Sequence, residues 1–276
     1  MTTIHVGQRT PLAEPRRLAL GVDKWMALAA ATRDAGIRLP PDLLVEIDPL
    51  EAALASGDVA GELAAARRDL EDHGVLDQDG PVPSVATNLA ALGAAPRRLR
   101  ISLAGPGAGV LGYFWAEDRV GGSLVRDGLT HTLSLFDSRA FGEEVLSLLP
   151  GTEAGAGRAR IAVPLDSLAP LSAEVGLTPD VLDAVAEMAG TTPEVGATFR
   201  AWRARQSAVL HILVVGPDRR PHAMVWFLAA DGWWAGSVEG ARPEREDNDE
   251  RTLCLEPATA RELRTAFAAL TTEAWQ

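Results

Sequence analysis

The sequence predicts an α+β fold: a single domain over residues 1–276 with an internal duplication, its halves running from about 16 to 150 and 159 to 272. A central, largely antiparallel sheet flanked by two helical bundles about a pseudo-two-fold axis is the expected architecture. Three observations lead there. "RLALGVDKW" (Arg17–Trp25) returns as "RIAVPLDSL" (Arg160–Leu168), and "LPPDLL" (Leu39–Leu44) returns as "LTPDVL" (Leu177–Leu182), offsets of 143 and 138. "RLRISLAGP" (Arg98–Pro106), "YFWAED" (Tyr113–Asp118) and "TLSL" (Thr132–Leu135) then return, in the same order, as "VLHILVVGP", "WFLAAD" and "TLCL". The drop in offset from 138 to 111 between the second and third pairs gives the first half an excess of 27 residues, about one helix with its connections.

Each unit opens with a short strand, at about 17–20 and 160–163, which feeds a helix near Asp23 or Asp166, where a carboxylate suits the N-terminal dipole. Trp25, Leu28 and Ala29 give the first of these an apolar face, and Gly36 ends it. "GELAAARRDLEDHGV" (Gly61–Val75) supplies the extra helix of the first half, with Gly74 closing it. Thr178-Pro179 opens a helix in the second half, Pro occupying the first helical position. Alternating strands follow at Leu99–Ala104, Val110–Glu117 and Leu133–Phe136, matched by Val209–Val215, Ala223–Ala229 and Leu253–Leu255. Each half closes with a helix, "SRAFGEEVLSLL" and "ATARELRTAFAAL", the second with a Thr259–Glu262 capping box. "PGTEAGAGRA" (Pro150–Ala159) links the halves, and "EGARPEREDNDERT" reads as a long polar hairpin tip. Strands laid edge to edge across the dyad remove an exposed edge, so one shared sheet is expected.

Composition narrows the function. The formal charge of −12 disfavours nucleic acid and anionic lipid as partners. No apolar run reaches the length of a membrane span, the N-terminus does not resemble a secretory signal, and a lone Cys254 suits a reducing cytoplasm. His5, His73, His131, His211 and His222 lack metal-ligand spacing, so neither a metal nor another cofactor is expected. His211, on an apolar strand, reads as a core or half-buried imidazole. "GPGAG" (Gly105–Gly109) precedes a strand rather than a helix and reads as a hairpin turn, not a phosphate loop. "GSVEG" (Gly236–Gly240) lacks the order of a nucleophile elbow, and "EREDND" lacks the alternating ligands of a calcium loop. No catalytic residue is assigned, and the chain is read as a non-enzyme.

What remains is a surface for another protein. With the extra 27 residues confined to the first half, the second half's helices have fewer covering elements. A groove is therefore expected beside Val181, Val185, Met188, Phe199 and Trp202; the alternative is that this stripe closes the core, as apolar helix stripes usually do. Trp233 and Trp234 follow the Asp231-Gly232 turn, and adjacent strand residues face opposite ways, so one can join the core while the other is offered outward.

The order strand, helix, "LPPDLL", helices, Gly-turn strands, then "VWFLAADGWW" (Val225–Trp234) and "LCLEPATARELRTAFAAL" (Leu253–Leu270), resembles the EspG family over about Arg17 to Leu270. These are proteins associated with ESX (type VII) secretion in actinobacteria. The resemblance implies a central sheet with quasi-two-fold symmetry and flanking helical bundles. It also implies a cytosolic chaperone that keeps PE–PPE-like or WXG-type helical substrates soluble and delivers them to the secretion machinery. In the family the substrate tip docks on the sheet and the C-terminal helical bundle, helped by the loop after the second strand, here the short "AGPGAG" (Ala104–Gly109). The competing reading is a small-molecule-binding or sensory domain, which expects a deep closed apolar cavity where a chaperone expects an open groove.

Overall fold

The computed structural model describes residues 15–40, 60–105, 108–151, 159–168, 184, 187, 188, 190–240 and 251–276. Val181, Val185, the Thr178-Pro179 helix start, most of the linker and the "EREDND" tip lie outside them.

The first half runs β1 (Arg16–Leu20), α1 (Val22–Asp34), α2 (Ala60–Asp72), the two-residue strands β2 (Leu76–Asp77) and β3 (Gly80–Pro81), α3 (Pro83–Ala94), β4 (Arg97–Gly105), β5 (Ala108–Glu117), β6 (Val120–Asp127), β7 (Thr130–Asp137), a 3-10 turn at Ser138–Ala140 and α4 (Phe141–Leu146). The second runs β8 (Ile161–Pro164), a 3-10 turn at Leu165–Ser167, α5 (Pro193–Arg203), β9 (Gln206–Val215), β10 (Pro221–Ala229), β11 (Gly232–Glu239), β12 (Thr252–Ala258) and α6 (Ala260–Trp275).

Ten strands form one sheet in the order β1-β7-β6-β5-β4-β9-β10-β11-β12-β8, and every pairing is antiparallel. From edge to centre the two halves read alike: β1, β7, β6, β5, β4 on one side, and β8, β12, β11, β10, β9 on the other. The halves meet at the β4–β9 seam, where Arg98 pairs with Val215, Ile101 with Ile212 and Ala104 with Val209.

β6 and β11 are strands that the sequence pattern did not disclose. The "SRAFGEEVLSLL" helix is shorter than expected, a 3-10 turn leading into the six residues of α4. Near Asp166 the chain makes only a 3-10 turn within the described residues. α1 and α2 form where the pattern placed them. Gly36 and Gly74 close them with φ of +75° and +67°, a left-handed conformation that side chains resist. At α6, Thr259 Oγ1 accepts from Glu262 N at 3.0 Å while Glu262 Oε2 accepts from Thr259 N at 2.7 Å.

Period-two alternation splits the strands' side chains between two faces, and three apolar clusters result. On one face, α1, α2 and α3 cover β1, β7, β6 and β5 through Trp25, Leu28, Leu89, Trp115, Leu124 and Leu133. On the opposite face, α4 and α6 cover the centre of the sheet through Ile101, Phe114, Phe136, Ile212, Trp226 and Phe267. The third cluster returns to the first face in the second half, where Phe199 and Trp202 of α5 pack on Ile161, Val163, Trp234 and Leu255. No helix among the described residues is long and apolar enough to cross a membrane.

Candidate functional site

Between the α1–α3 lobe and the α5 lobe, the first face of the central strands carries no described helix. Cross-strand pairing fixes which residues share that bare strip. Arg100 pairs with Leu213, which pairs with Ala223; Ser102 pairs with His211, which pairs with Val225. Arg100, Ser102, Ala104, His211, Leu213, Ala223 and Val225 line an open trough of about 510 Å³ along β4, β9 and β10. Ala104, His211 and Ala223 are exposed, and Arg100, Ser102, Leu213 and Val225 are half-buried. The residues one step along each strand, Ile101, Ile212 and Trp226, point the other way and are buried under α4 and α6. The trough floor is therefore rigid: its backbone is fixed by ladders on both sides and by a core beneath.

The residues read as docking candidates do not gather there. Phe199 (3 % exposed) and Trp202 (1 %) sit inside the third cluster, with Trp202 edge-on to Phe227 at 5.2 Å and to Trp234 at 6.0 Å between ring centroids. The expectation of an exposed stripe on α5 is corrected: its apolar face is used up on β8, β10 and β11. Trp233 and Trp234 do face opposite sides, but neither is offered outward. Trp233 joins the cluster under α6 and Trp234 the cluster under α5, both at 2 % exposure or less. Trp234 Nε1 donates to Asp231 Oδ1 at 3.2 Å, and Asp231 Oδ2 accepts from Arg205 at the same distance, so the indole's polar atom is satisfied inside the fold. Met188, in a helical turn before α5, is 81 % exposed; Val181 and Val185 lie outside the described residues.

The trough was missed because a sheet-centre strand with an apolar alternation looks fully buried in sequence. The available signal was the polar set at alternate positions, Arg98, Arg100 and Ser102 on β4 and His211 on β9. His211 accordingly is exposed rather than a core histidine.

Elsewhere, the polar chemistry serves the fold. Asn88 of α3 accepts from Trp115 Nε1 at 2.7 Å and donates to Ser134 O at 3.0 Å, tying α3 to β5 and β7. Arg160 beside β8 donates to Cys254 Sγ at 2.7 Å and pairs with Glu239 at 2.5 Å, which clasps the edge of the sheet. Those bonds raise the Arg160 pKa and hold the Glu239 carboxyl below its ordinary range. Among the described residues, no group of three His, Cys, Asp or Glu side chains is placed to hold a metal ion.

Fourteen chains of solved structure match this one. Among them is the Mycobacterium tuberculosis type VII secretion system chaperone EspG5, solved in complex with the PE25-PPE41 dimer. At 13 % sequence identity it aligns with a TM-score of 0.57, covering 95 % of this chain and 97 % of that one, which establishes a shared fold. No curated protein matches the sequence. The EspG family model matches residues 26–269, nearly the whole of both halves and of the sheet they share, and the chain belongs to the EspG family.

Proposed function

We propose that this protein is a cytoplasmic type VII secretion chaperone, and that the tip of a PE–PPE-like helical pair docks in the β4–β9–β10 trough. WXG-type helical proteins form the second substrate class, and delivery to the secretion machinery follows from the same grip. The observation that carries the reading is the strip of central sheet over which no described helix lies. A sheet whose flanks are covered by helices on this face leaves half-exposed Leu213 and Val225 at its centre, where an apolar tip gains burial. Two or three inserted side chains contribute roughly 1.5–3 kcal/mol each when fully buried, without any covalent step.

Met188, with Val181 and Val185 of the same stretch, is proposed as a second contact on the C-terminal side. Phe199, Trp202, Trp233 and Trp234 act from beneath, by holding α5 and α6 against β10 and β11. The competing small-molecule reading calls for an enclosed apolar cavity, whereas the trough is an open face with Arg100 and His211 in its lining. Co-expression with PE–PPE-type pairs tests the proposal. A pair that is insoluble alone should become soluble and co-purify as a complex, and failure with every such pair from the same genome would count against it.

A further inference from the structure

The trough sits on the seam between the halves, yet its floor is not symmetric. Ile101 pairs with Ile212, and about that pair the antiparallel register has a local two-fold axis normal to the sheet. The axis relates Ser102 to Leu213 and Arg100 to His211, all four on the trough floor. On the flanking strands, Leu111 (paired with Ser102) corresponds to Ala223 (paired with Leu213), and Tyr113 (paired with Arg100) to Val225 (paired with His211). One strand further out, Leu124, paired with Tyr113, corresponds to Gly236, paired with Val225. At each of these three positions the second half carries the smaller side chain. Leu111, Tyr113 and Leu124 are buried in the cluster under α1–α3, whereas Ala223 is exposed and Val225 and Gly236 are half-buried. The recess is therefore displaced from the axis onto β9, β10 and β11. Val238, two residues beyond Gly236 and so on the same face, extends its apolar floor and is 48 % exposed.

The recess is bounded by the α1–α3 lobe on one side and the α5 lobe on the other, which suits a narrow helical tip better than a broad protein face. A tip that enters along a two-fold axis can seat in two ways, half a turn apart, and a symmetric floor would hold both equally. Here the two differ. Arg100 and His211 are both polar, but Ser102 and Leu213 set a hydroxyl against a branched alkyl group. Turned one way, the tip's apolar side chains lie on Leu213, Ala223, Val225 and Val238. Turned the other, they bury the Ser102 hydroxyl away from water, beside helices that already cover Leu111 and Tyr113. We infer that the partner's tip seats off the axis in a single orientation, its apolar side chains toward β10 and β11 and its polar side toward β4. Ser102 and Leu213 are the residues that set this orientation. This rests on the docking role proposed above and adds how the site tells one side of the tip from the other.

The test is calorimetric, on the full chain with a PE–PPE-type pair that co-purifies with it. Exchanging the two related residues, Ser102→Leu together with Leu213→Ser, keeps the composition of the floor and turns its central pattern half a turn, while Ala223 and Val225 stay behind. Both positions are half-buried and neither belongs to the three core clusters. The exchange variant should bind at least tenfold more weakly than wild type. Val238→Asn should weaken binding about tenfold, whereas Leu129→Asn, the same kind of change at the exposed β6–β7 turn, should leave it unchanged. Wild-type affinity in the exchange variant or in Val238→Asn would overturn the single orientation while leaving the docking role standing. Should the exchange variant not fold, Val238→Asn decides alone. Wild-type protein that binds no such pair, or that buries the trough against a second copy of itself in sedimentation, defeats the docking role and this inference together.

Discussion

Ile101 and Ile212 face each other across the β4–β9 seam, each about 1 % exposed, and they are the same position of the repeated segment, 111 residues apart. A register in which equivalent residues pair with each other places a local two-fold axis between them. Since both sit in the cluster beneath α6, Ile101→Ala and Ile212→Ala should each destabilise by about 2–5 kcal/mol. Because they touch the same partners, the double variant should depart from the sum of the singles. Denaturant midpoints of the three variants check this; one isoleucine truncating at no cost would contradict the shared seam.

Acid sensitivity should centre on His131. It stacks on Trp25 of α1 with centroids 5.0 Å apart and planes 12° apart, paired across the strands with Leu20 of β1 and Arg126 of β6. Burial first, then the Arg126 charge, lowers its pKa from 6.5 to about 4. Below pH 6.5 the unfolded chain therefore takes up a proton that the folded chain refuses until about pH 4. The neutral ring's contribution is complete above that window and is lost as pH falls through it, on the order of 3 kcal/mol in all. His131→Phe, which keeps the stack, should flatten the melting temperature between those limits; an unchanged pH profile would show that another group governs it.

Asn88 should behave as a structural polar residue. Its side chain supplies the acceptor for the buried Trp115 Nε1 and the donor for Ser134 O. Asn88→Leu strands both groups, at a cost of about 1–3 kcal/mol for each unsatisfied partner. Chemical denaturation measures the loss, and trough binding should survive in whatever fraction remains folded.

Two glycines should respond in opposite directions. A Cβ on Gly216, at the end of β9, would collide with the Ala274 carbonyl of α6, so Gly216→Ala should cost about 1–3 kcal/mol by forcing the two elements apart. Gly61, in the first turns of α2, has open space where its Cβ would go, and Gly61→Ala should stabilise by up to about 1 kcal/mol. Thermal melts of the pair distinguish close packing from conformational freedom.

The sheet and its strand order were legible because insertions fell in loops and helices while the strands kept their spacing. β6 escaped because "VGGSLVRD" places Gly121 and Gly122 where an alternating apolar residue would announce a strand. The structure needs both glycines: Phe136 packs on the first, and Asn88 with Trp115 on the second, leaving no room for a Cβ. β11 escaped for a related reason. Trp233 and Trp234 read as adjacent strand residues facing opposite ways, and they do belong to different clusters, but the small and polar "AGSVE" after them carries no apolar alternation to mark the rest of the strand. The docking site was harder still. Phe199 and Trp202 would show the same amphipathic spacing whether they faced β11 or a partner, because periodicity reports an apolar face and not what covers it. The trough carried the opposite signature, polar residues at alternate positions of central strands, whose meaning depends on knowing that no described helix lies above them.

Filling the trough tests the central claim most directly. Ala223 is exposed on its floor, paired across the strands with Leu213, and Ala223→Trp occupies the space without removing a core contact. Isothermal titration of this variant with a co-purifying PE–PPE-type pair should show binding weakened at least tenfold, on the order of 1.4 kcal/mol or more, with an unchanged melting temperature. Full affinity in the filled variant would place the partner elsewhere on the molecule and contradict the account.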